Sequence, residues 1–286
     1  IVVPLSAGFD SRAIVSGLKH LGAKNVICIY YGRKNSFEQI ASQRISETLG
    51  YKWIDIELSD KYQKDFFSSE IYSEYVSKYD TYASIPFVQD VSAFNIIHDK
   101  NYIDADAVIV NGNTGYFNGG DQQIERISKN CKTIEEHLLK YYLSKNHSLW
   151  KNLRSLENDK KIINSLLLEI KEQGVEEEII KNHHLLIYEL AEHICRQTKY
   201  MTTAQRAYEY FNYDWMLPLW DARFVDFWDS ASPEQKYNKK IYKDMLLEKN
   251  WGNVWNNIPV NQKYISPFLL KQTRNLFKYT LATILG

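Results

Sequence analysis

The stretch that decides the fold lies at the start of the sequence and reads Val2-Val3-Pro4-Leu5-Ser6-Ala7-Gly8-Phe9-Asp10-Ser11-Arg12. An apolar segment leads into a turn of small residues, and a helical pattern follows the turn. Because Ser6, Ala7 and Gly8 have little side-chain bulk, their backbone N–H groups can approach a phosphate closely. The next helix would direct its positive N-terminal end at the same place. The stretch therefore predicts a strand, an anion-binding turn and a helix.

Asp10 stands inside this turn, where its carboxylate would repel a bare phosphate. A Mg²⁺ ion shared between the carboxylate and the phosphate oxygens removes that conflict. We therefore expect Asp10 to be a metal ligand. The same pattern is equally typical of an ordinary strand, turn and helix in which Asp10 or Ser11 is the N-cap residue.

The composition excludes several classes of partner. Lys and Arg together number 35, as do Asp and Glu, so the formal net charge is zero. Lysine-rich segments alternate with acidic residues as solvated helix faces do, and we expect no nucleic-acid partner. No apolar run approaches the roughly 20 residues of a membrane-spanning helix, so we expect no membrane span.

The cysteines indicate a reducing compartment. Cys28, Cys131 and Cys195 are far apart and form no C-x-x-C pair, which argues against a zinc site or a redox dithiol. We expect a cytoplasmic protein. The sequence begins at Ile1, without Met and inside a strand pattern, and we expect further residues to precede it.

Residues 1–122 alternate between strand and helix patterns, which predicts an α/β core with a parallel sheet and helices on both faces. Residues 123–286 read as a mainly helical portion packed on that core. The strands are predicted at Ile1–Leu5, Val26–Tyr31, Trp53–Leu58 and Ala107–Val110. Because ligands of such sheets bind outside the carboxyl ends of the strands, we expect the loops at Ser6 and Gly112 to meet in one crevice.

Two later segments complete the pattern of motifs. The fourth strand leads into Asn111-Gly112-Asn113-Thr114-Gly115-Tyr116-Phe117-Asn118-Gly119-Gly120-Asp121. Further along the chain come Pro218-Leu219-Trp220-Asp221-Ala222-Arg223 and the pair Lys239-Lys240. No Walker motif, G-x-x-x-x-G-K-[ST], occurs in the sequence.

The first motif resembles the S-G-G-x-D-S loop of the PP-loop (ATP pyrophosphatase) superfamily, with Ala7 in place of the first Gly. With the two later segments in the same order, the chain resembles the synthetase domain of asparagine synthetase. This resemblance implies an adenine nucleotide alpha hydrolase-like fold. Asp10-Ser11-Arg12 resembles in particular the asparagine-synthetase-related proteins of bacterial surface-polysaccharide clusters.

The resemblance implies an ATP-dependent ligase that forms AMP and pyrophosphate. A carboxylate oxygen attacks the α-phosphorus of ATP, and ammonia or an amine then displaces AMP from the acyl-adenylate. The implied cofactors are ATP and Mg²⁺, and the implied substrate is a small-molecule carboxylate such as a sugar acid. Nitrogen would come from free ammonia or from a glutaminase partner.

The resemblance also assigns roles to site residues. Lys240, with Lys239 as its substitute, would place a cation on the α-phosphate or on the tetrahedral intermediate, and Asp10 would bind Mg²⁺. Lys240 and Asp10 are therefore the expected catalytic residues. The expected nucleotide-binding residues are Leu5, Ser6, Ala7, Gly8, Asp10, Ser11, Arg12, Tyr30, Gly112 and Asn113.

Two positions depart from the family pattern. Tyr116 stands where the family has its second magnesium ligand, and Asn113 stands where members often carry an acidic residue; Asp121 is a candidate replacement. Because Mg²⁺ commonly takes only one or two carboxylates, Asp10 with phosphates and water would suffice. The alternatives are a nucleotide-binding relative that has lost catalysis and a PP-loop sulfurtransferase, which the absence of paired cysteines and of a basic face disfavours.

Overall fold

The chain forms a five-stranded parallel sheet with the strand order β3-β2-β1-β4-β5. The computed structural model describes residues 1–82, 84–115, 131–147 and 151–260. The strands are β1 (Val2–Pro4), β2 (Ile27–Gly32), β3 (Lys52–Glu57), β4 (Val108–Val110) and β5 (Asp214–Met216). The helices between the first four strands are α1 (Phe9–His20), α2 (Phe37–Leu49), α3 (Asp60–Phe67), α4 (Glu70–Tyr79) and α5 (Val91–Asp99).

The rest of the described chain is mainly helical. Its α-helical segments are Ile134–His137, Ser144–Asn146, Leu156–Glu172, Glu177–Asn182, His184–Ala191, Arg206–Tyr210, Ala222–Ser230, Pro233–Lys236 and Lys240–Lys249. Wider π-helical turns cover Leu138–Leu143 and Glu192–Met201. Short 3-10 turns cover Lys151–Leu153, Thr202–Gln205, Pro218–Trp220, Tyr237–Lys239 and Trp251–Asn253.

The central strands bury side chains on both faces of the sheet, since successive side chains of a strand point to opposite sides. Val3 and Cys28 pack in one apolar cluster with residues of α1 and α2. Val2 and Ile29, their neighbours along the strands, pack in a second cluster with residues of α3, α4 and α5. The prediction of an α/β fold with a parallel sheet is confirmed.

The sequence predicted four strands, and the structure adds a fifth. Strand β5 pairs with β4 at the edge of the sheet, with Val108 opposite Asp214 and Val110 opposite Met216. Its three residues are exposed and show no alternation of apolar and polar side chains, so the pattern gave no signal for it. The sheet therefore includes residues from beyond position 122.

A third apolar cluster belongs to the helical portion alone. Leu138, Ile163 and Ile187 are among its buried members, which all lie within residues 134–191. This portion also contacts the sheet domain, since Ser84 donates a hydrogen bond to the carbonyl of Lys199. The helical layer thus has its own core and a polar contact with the α/β part.

Arg12 connects the start of α1 to a distant part of the chain. Its side chain is fully buried, and its Nη1 atom donates to the carbonyls of Val254 (3.1 Å) and Ile258 (2.6 Å). Its Nη2 atom donates to the carbonyls of Ala7 (2.9 Å) and Pro259 (2.8 Å). Burial lowers the pKa of Arg12 to about 10, and no carboxylate of the described residues forms a salt bridge with it. Four carbonyl dipoles therefore solvate the buried cation.

Replacing Arg12 with Met should destabilise the protein by about 3 kcal/mol, because four carbonyls would lose a charged donor at once. Arg44→Met is the matched control, since Arg44 is exposed on α2 and should change the free energy of unfolding by less than about 0.5 kcal/mol. Urea denaturation of both variants measures the difference. Equal losses of stability in the two variants would contradict the role assigned to Arg12.

Candidate functional site

A cavity of about 390 Å³ opens at the carboxyl ends of β1, β2 and β4. It extends from the start of α1 to the segment that leads into α5. The predicted site residues that line it are Leu5, Ser6, Gly8, Asp10, Ser11, Tyr30, Gly112 and Asn113. The loops after β1 and β4 therefore meet in one crevice, as the strand pattern predicted.

The turn between β1 and α1 is held by its own hydroxyl groups. The backbone N–H of Ser6 donates to Ser11 Oγ (3.1 Å), and that of Gly8 donates to Ser6 Oγ (3.2 Å). Gly8 is the N-cap residue of α1, and no side chain caps this helix end. The interpretation of Asp10 or Ser11 as the N-cap is therefore wrong. An uncapped helix N-terminus beside a cavity is suited to an anion.

Asp10 occupies the first turn of α1 with an incomplete set of partners. Its side chain is 22 % exposed, and Oδ1 is buried without a hydrogen bond from the described residues. Lys239 Nζ lies 4.0 Å from that oxygen. Burial raises the pKa of Asp10, and Lys239 and Tyr242 offset this only in part. A half-buried carboxylate with an unused oxygen is suited to a cation ligand.

Two glycines allow the loop after β4 to approach Asp10. A Cβ atom on Gly112 would lie 2.7 Å from the backbone nitrogen of Ser11, and one on Gly115 would lie 2.9 Å from Asp10 Cγ. Both distances are shorter than side-chain packing permits. The backbone of this loop thus forms one wall around the Asp10 carboxylate.

The residues around Asp10 fit a magnesium site in which the protein supplies few of the ligands. Within the described part of the chain, no group of three or more His, Cys, Asp or Glu side chains is arranged to hold a metal. Asp10 could supply one carboxylate, and phosphate oxygens and water would complete the shell, as Mg²⁺ commonly requires. Tyr116 and Asp121, the other residues considered for this role, lie outside the described residues.

The structure brings Lys239, and not Lys240, to Asp10. Lys239 is buried, with its side chain 7 % exposed, whereas Lys240 is exposed at the start of the helix Lys240–Lys249. Asn238 and Lys239 both adopt left-handed backbone conformations, with φ of 54° and 57°. This strained turn directs Lys239 inward. Of the two lysines named from the sequence, the substitute is therefore the one at the site.

Two further predicted residues do not face the cavity. The guanidinium of Arg12 is enclosed by backbone carbonyls, and the side chain of Ala7 lies in the apolar core. The carbonyl of Ala7 accepts a hydrogen bond from Arg12. Arg12 therefore positions the loop from behind, and it is not placed to contact a nucleotide.

Sequence reasoning missed a buried polar cluster in the same cavity wall. Asp90 Oδ1 accepts a hydrogen bond from the Tyr31 hydroxyl (2.7 Å), and Oδ2 accepts one from the Tyr208 hydroxyl (2.8 Å). Asn111 Nδ2 donates to Tyr208 (3.0 Å) and to Gln205 Oε1 (2.7 Å). Asp90 precedes a helical pattern and looks like an N-cap residue in the sequence, which concealed it.

None of the helices in the described part of the chain combines the length and the apolar character that crossing a bilayer requires.

No protein-family model matches the sequence, and no curated protein matches it significantly.

Proposed function

We propose that this chain is an asparagine synthetase-like PP-loop domain that amidates a carboxylate with ATP. The carboxylate oxygen attacks the α-phosphorus of ATP and pyrophosphate leaves. Ammonia then attacks the acyl carbon of the adenylate, AMP leaves, and the nitrogen loses a proton to give the amide. We further propose that the protein is cytoplasmic, in keeping with its three free cysteines.

The observation that carries this proposal is the juxtaposition of Asp10 and Lys239 at an uncapped helix end. The N-terminus of α1 and the Ser6 and Ser11 hydroxyls would bind the pyrophosphate group, and preorganised donors of this kind stabilise a leaving group. Asp10 would hold Mg²⁺, which supplies charge neutralisation to the phosphates. Lys239, at 4.0 Å from Asp10, would offset the charge that develops on the α-phosphate as the adenylyl group is transferred.

The nucleotide base would lie at the ends of β1 and β2. Leu5 and Tyr30 line the cavity there, and the Tyr30 hydroxyl is held 2.7 Å from Ser36 Oγ, so its ring has a fixed position. The backbone at Gly112 and Asn113 forms the adjoining wall. These residues would orient the adenine relative to the phosphates.

The Asp10-Ser11-Arg12 motif is the basis on which we propose a class for the acid substrate. Selectivity for that acid nevertheless cannot come from direct contact with Arg12. The Arg12 guanidinium is enclosed by carbonyls behind the loop. We propose a sugar acid of surface-polysaccharide biosynthesis as the substrate on the resemblance of that motif. Nitrogen would be supplied by free ammonia or by a glutaminase partner.

The direct test is release of pyrophosphate and AMP from ATP with Mg²⁺ and ammonium, across uronic acids, sialic-type acids and aspartate. We expect release that requires one class of acid, because the first step needs the carboxylate nucleophile. ATP binding without release for any acid would contradict a ligase and favour a relative that has lost catalysis.

Asp10→Asn should abolish Mg²⁺-dependent binding of ATP, because the amide cannot supply the anionic ligand that magnesium prefers. Titration calorimetry with ATP, with and without Mg²⁺, measures the loss. Asp65→Asn removes an exposed carboxylate from α3 and should leave binding unchanged. Unchanged affinity for ATP in the Asp10 variant would show that the turn between β1 and α1 is not a magnesium–nucleotide site.

Lys239→Ala should lower acid-dependent ATP–pyrophosphate exchange by about 100-fold, the usual loss for one preorganised electrostatic contact. Lys240→Ala should change exchange by less than about twofold, because that side chain is exposed and surface changes are small. Radioactive pyrophosphate exchange at saturating ATP compares the two. The reverse pattern would return the catalytic assignment to Lys240.

A further inference from the structure

Asp90 provides a second buried carboxylate in the wall of the cavity that contains Asp10. The residue is 7 % exposed and precedes the first turn of α5. An aspartate in this position commonly caps its helix, but the Asp90 side chain makes no cap hydrogen bond. It accepts hydrogen bonds from the tyrosine hydroxyls of Tyr31 and Tyr208 instead.

The hydrogen bonds fix the direction of every donor in this cluster. Tyr208 accepts from the Asn111 amide and must therefore donate its own hydrogen to Asp90. Tyr31 donates to the other carboxylate oxygen. Each oxygen of Asp90 receives one hydrogen bond and keeps further lone-pair capacity. The cluster is therefore a rigid acceptor.

No positive side chain balances Asp90 within the described residues. None of the salt bridges there involves it, and burial raises the pKa of the carboxyl group. Of the charged residues described as lining the cavity, Asp10, Glu38 and Asp90, all are acidic. Burying a carboxylate without a cation is costly, so a ligand that supplies a positive charge would be favoured here.

We propose that Tyr31, Asp90 and Tyr208 bind the ammonium ion that supplies the nitrogen, an inference that rests on the proposed function. An ammonium group offers several N–H donors, and the carboxylate oxygens and the Tyr31 oxygen can accept them. A second carboxylate or phosphate would be repelled at this end of the cavity. The same cavity, of about 390 Å³, would also hold the nucleotide, and an ammonium ion needs little additional space.

Saturation transfer difference NMR with methylammonium chloride tests this site without an acid substrate or turnover. At constant ionic strength, we expect transfer to the methyl protons of methylammonium and its loss on competition with ammonium chloride. Tetramethylammonium should give no such signal, because it has no N–H donor. Equal signals from the two cations in the wild-type protein would overturn the proposal.

Asp90→Asn should weaken the methylammonium interaction by about tenfold, because a hydrogen bond to a charged group is lost. Glu38→Gln is the matched control, since Glu38 lines the same cavity, is exposed and is outside the tyrosine cluster. If Asp90→Asn does not fold, as judged by circular dichroism, Tyr31→Phe tests the same contact with the carboxylate retained. If the Asp90 variant folds, an unchanged methylammonium signal in it overturns the proposed ammonium site. If it does not fold, an unchanged signal in Tyr31→Phe does so.

The nucleotide measurement separates the two proposals. Asp90→Asn should retain Mg²⁺-dependent ATP binding. Loss of ATP binding in this variant would assign Asp90 to the nucleotide site and overturn the ammonium assignment. A wild-type protein that binds methylammonium through Asp90 but no ATP would overturn the proposed ligase and not the cation site.

Discussion

The backbone contact between the loop after β4 and the first turn of α1 determines the shape of the site. Because β1 lies between β2 and β4, the loops that follow β1 and β4 leave the sheet at the same edge. Gly112 and Gly115 have no side chains to hold these loops apart, so peptide groups lie directly against Ser11 and Asp10. Any side chain at these two positions would displace Asp10, and with it the position of the carboxylate relative to Lys239.

Three charged groups are buried near this contact, and each is compensated differently. Arg12 is surrounded by carbonyls and lies 5.4 Å from the centre of the Trp255 ring. Asp90 is compensated by two phenol hydroxyls. Asp10 has a lysine nearby and still retains an oxygen without a hydrogen bond from the described residues. Both Nη atoms of Arg12 are therefore fully engaged by carbonyls, although its buried Nε has no hydrogen-bond partner among the described residues, whereas Asp10 presents its unused oxygen at the cavity.

The parts predicted from the sequence are those whose signals are local. Apolar or alternating runs of four to six residues and small-residue turns identified the first four strands and the Ser6 loop. Strand β5 was missed because three exposed residues carry no periodic pattern. Lys239 could not be distinguished from Lys240, because a left-handed turn decides which of them points inward. The role of Arg12 depends on carbonyls more than 240 positions away, and no local pattern contains that information.

That separation in sequence has a consequence for synthesis of the protein. The carbonyl of Pro259 lies 247 residues beyond Arg12. The hydrogen bonds that join Arg12 to Ala7 and Pro259 therefore cannot all form on a nascent chain until residue 259 has left the ribosome. The α/β segment can pair its first strands earlier, since those contacts are closer in sequence. The loop of residues 6–8 would then gain its final rigidity only after these distant carbonyls are available. Partial translation products would carry a sheet but an unfinished loop.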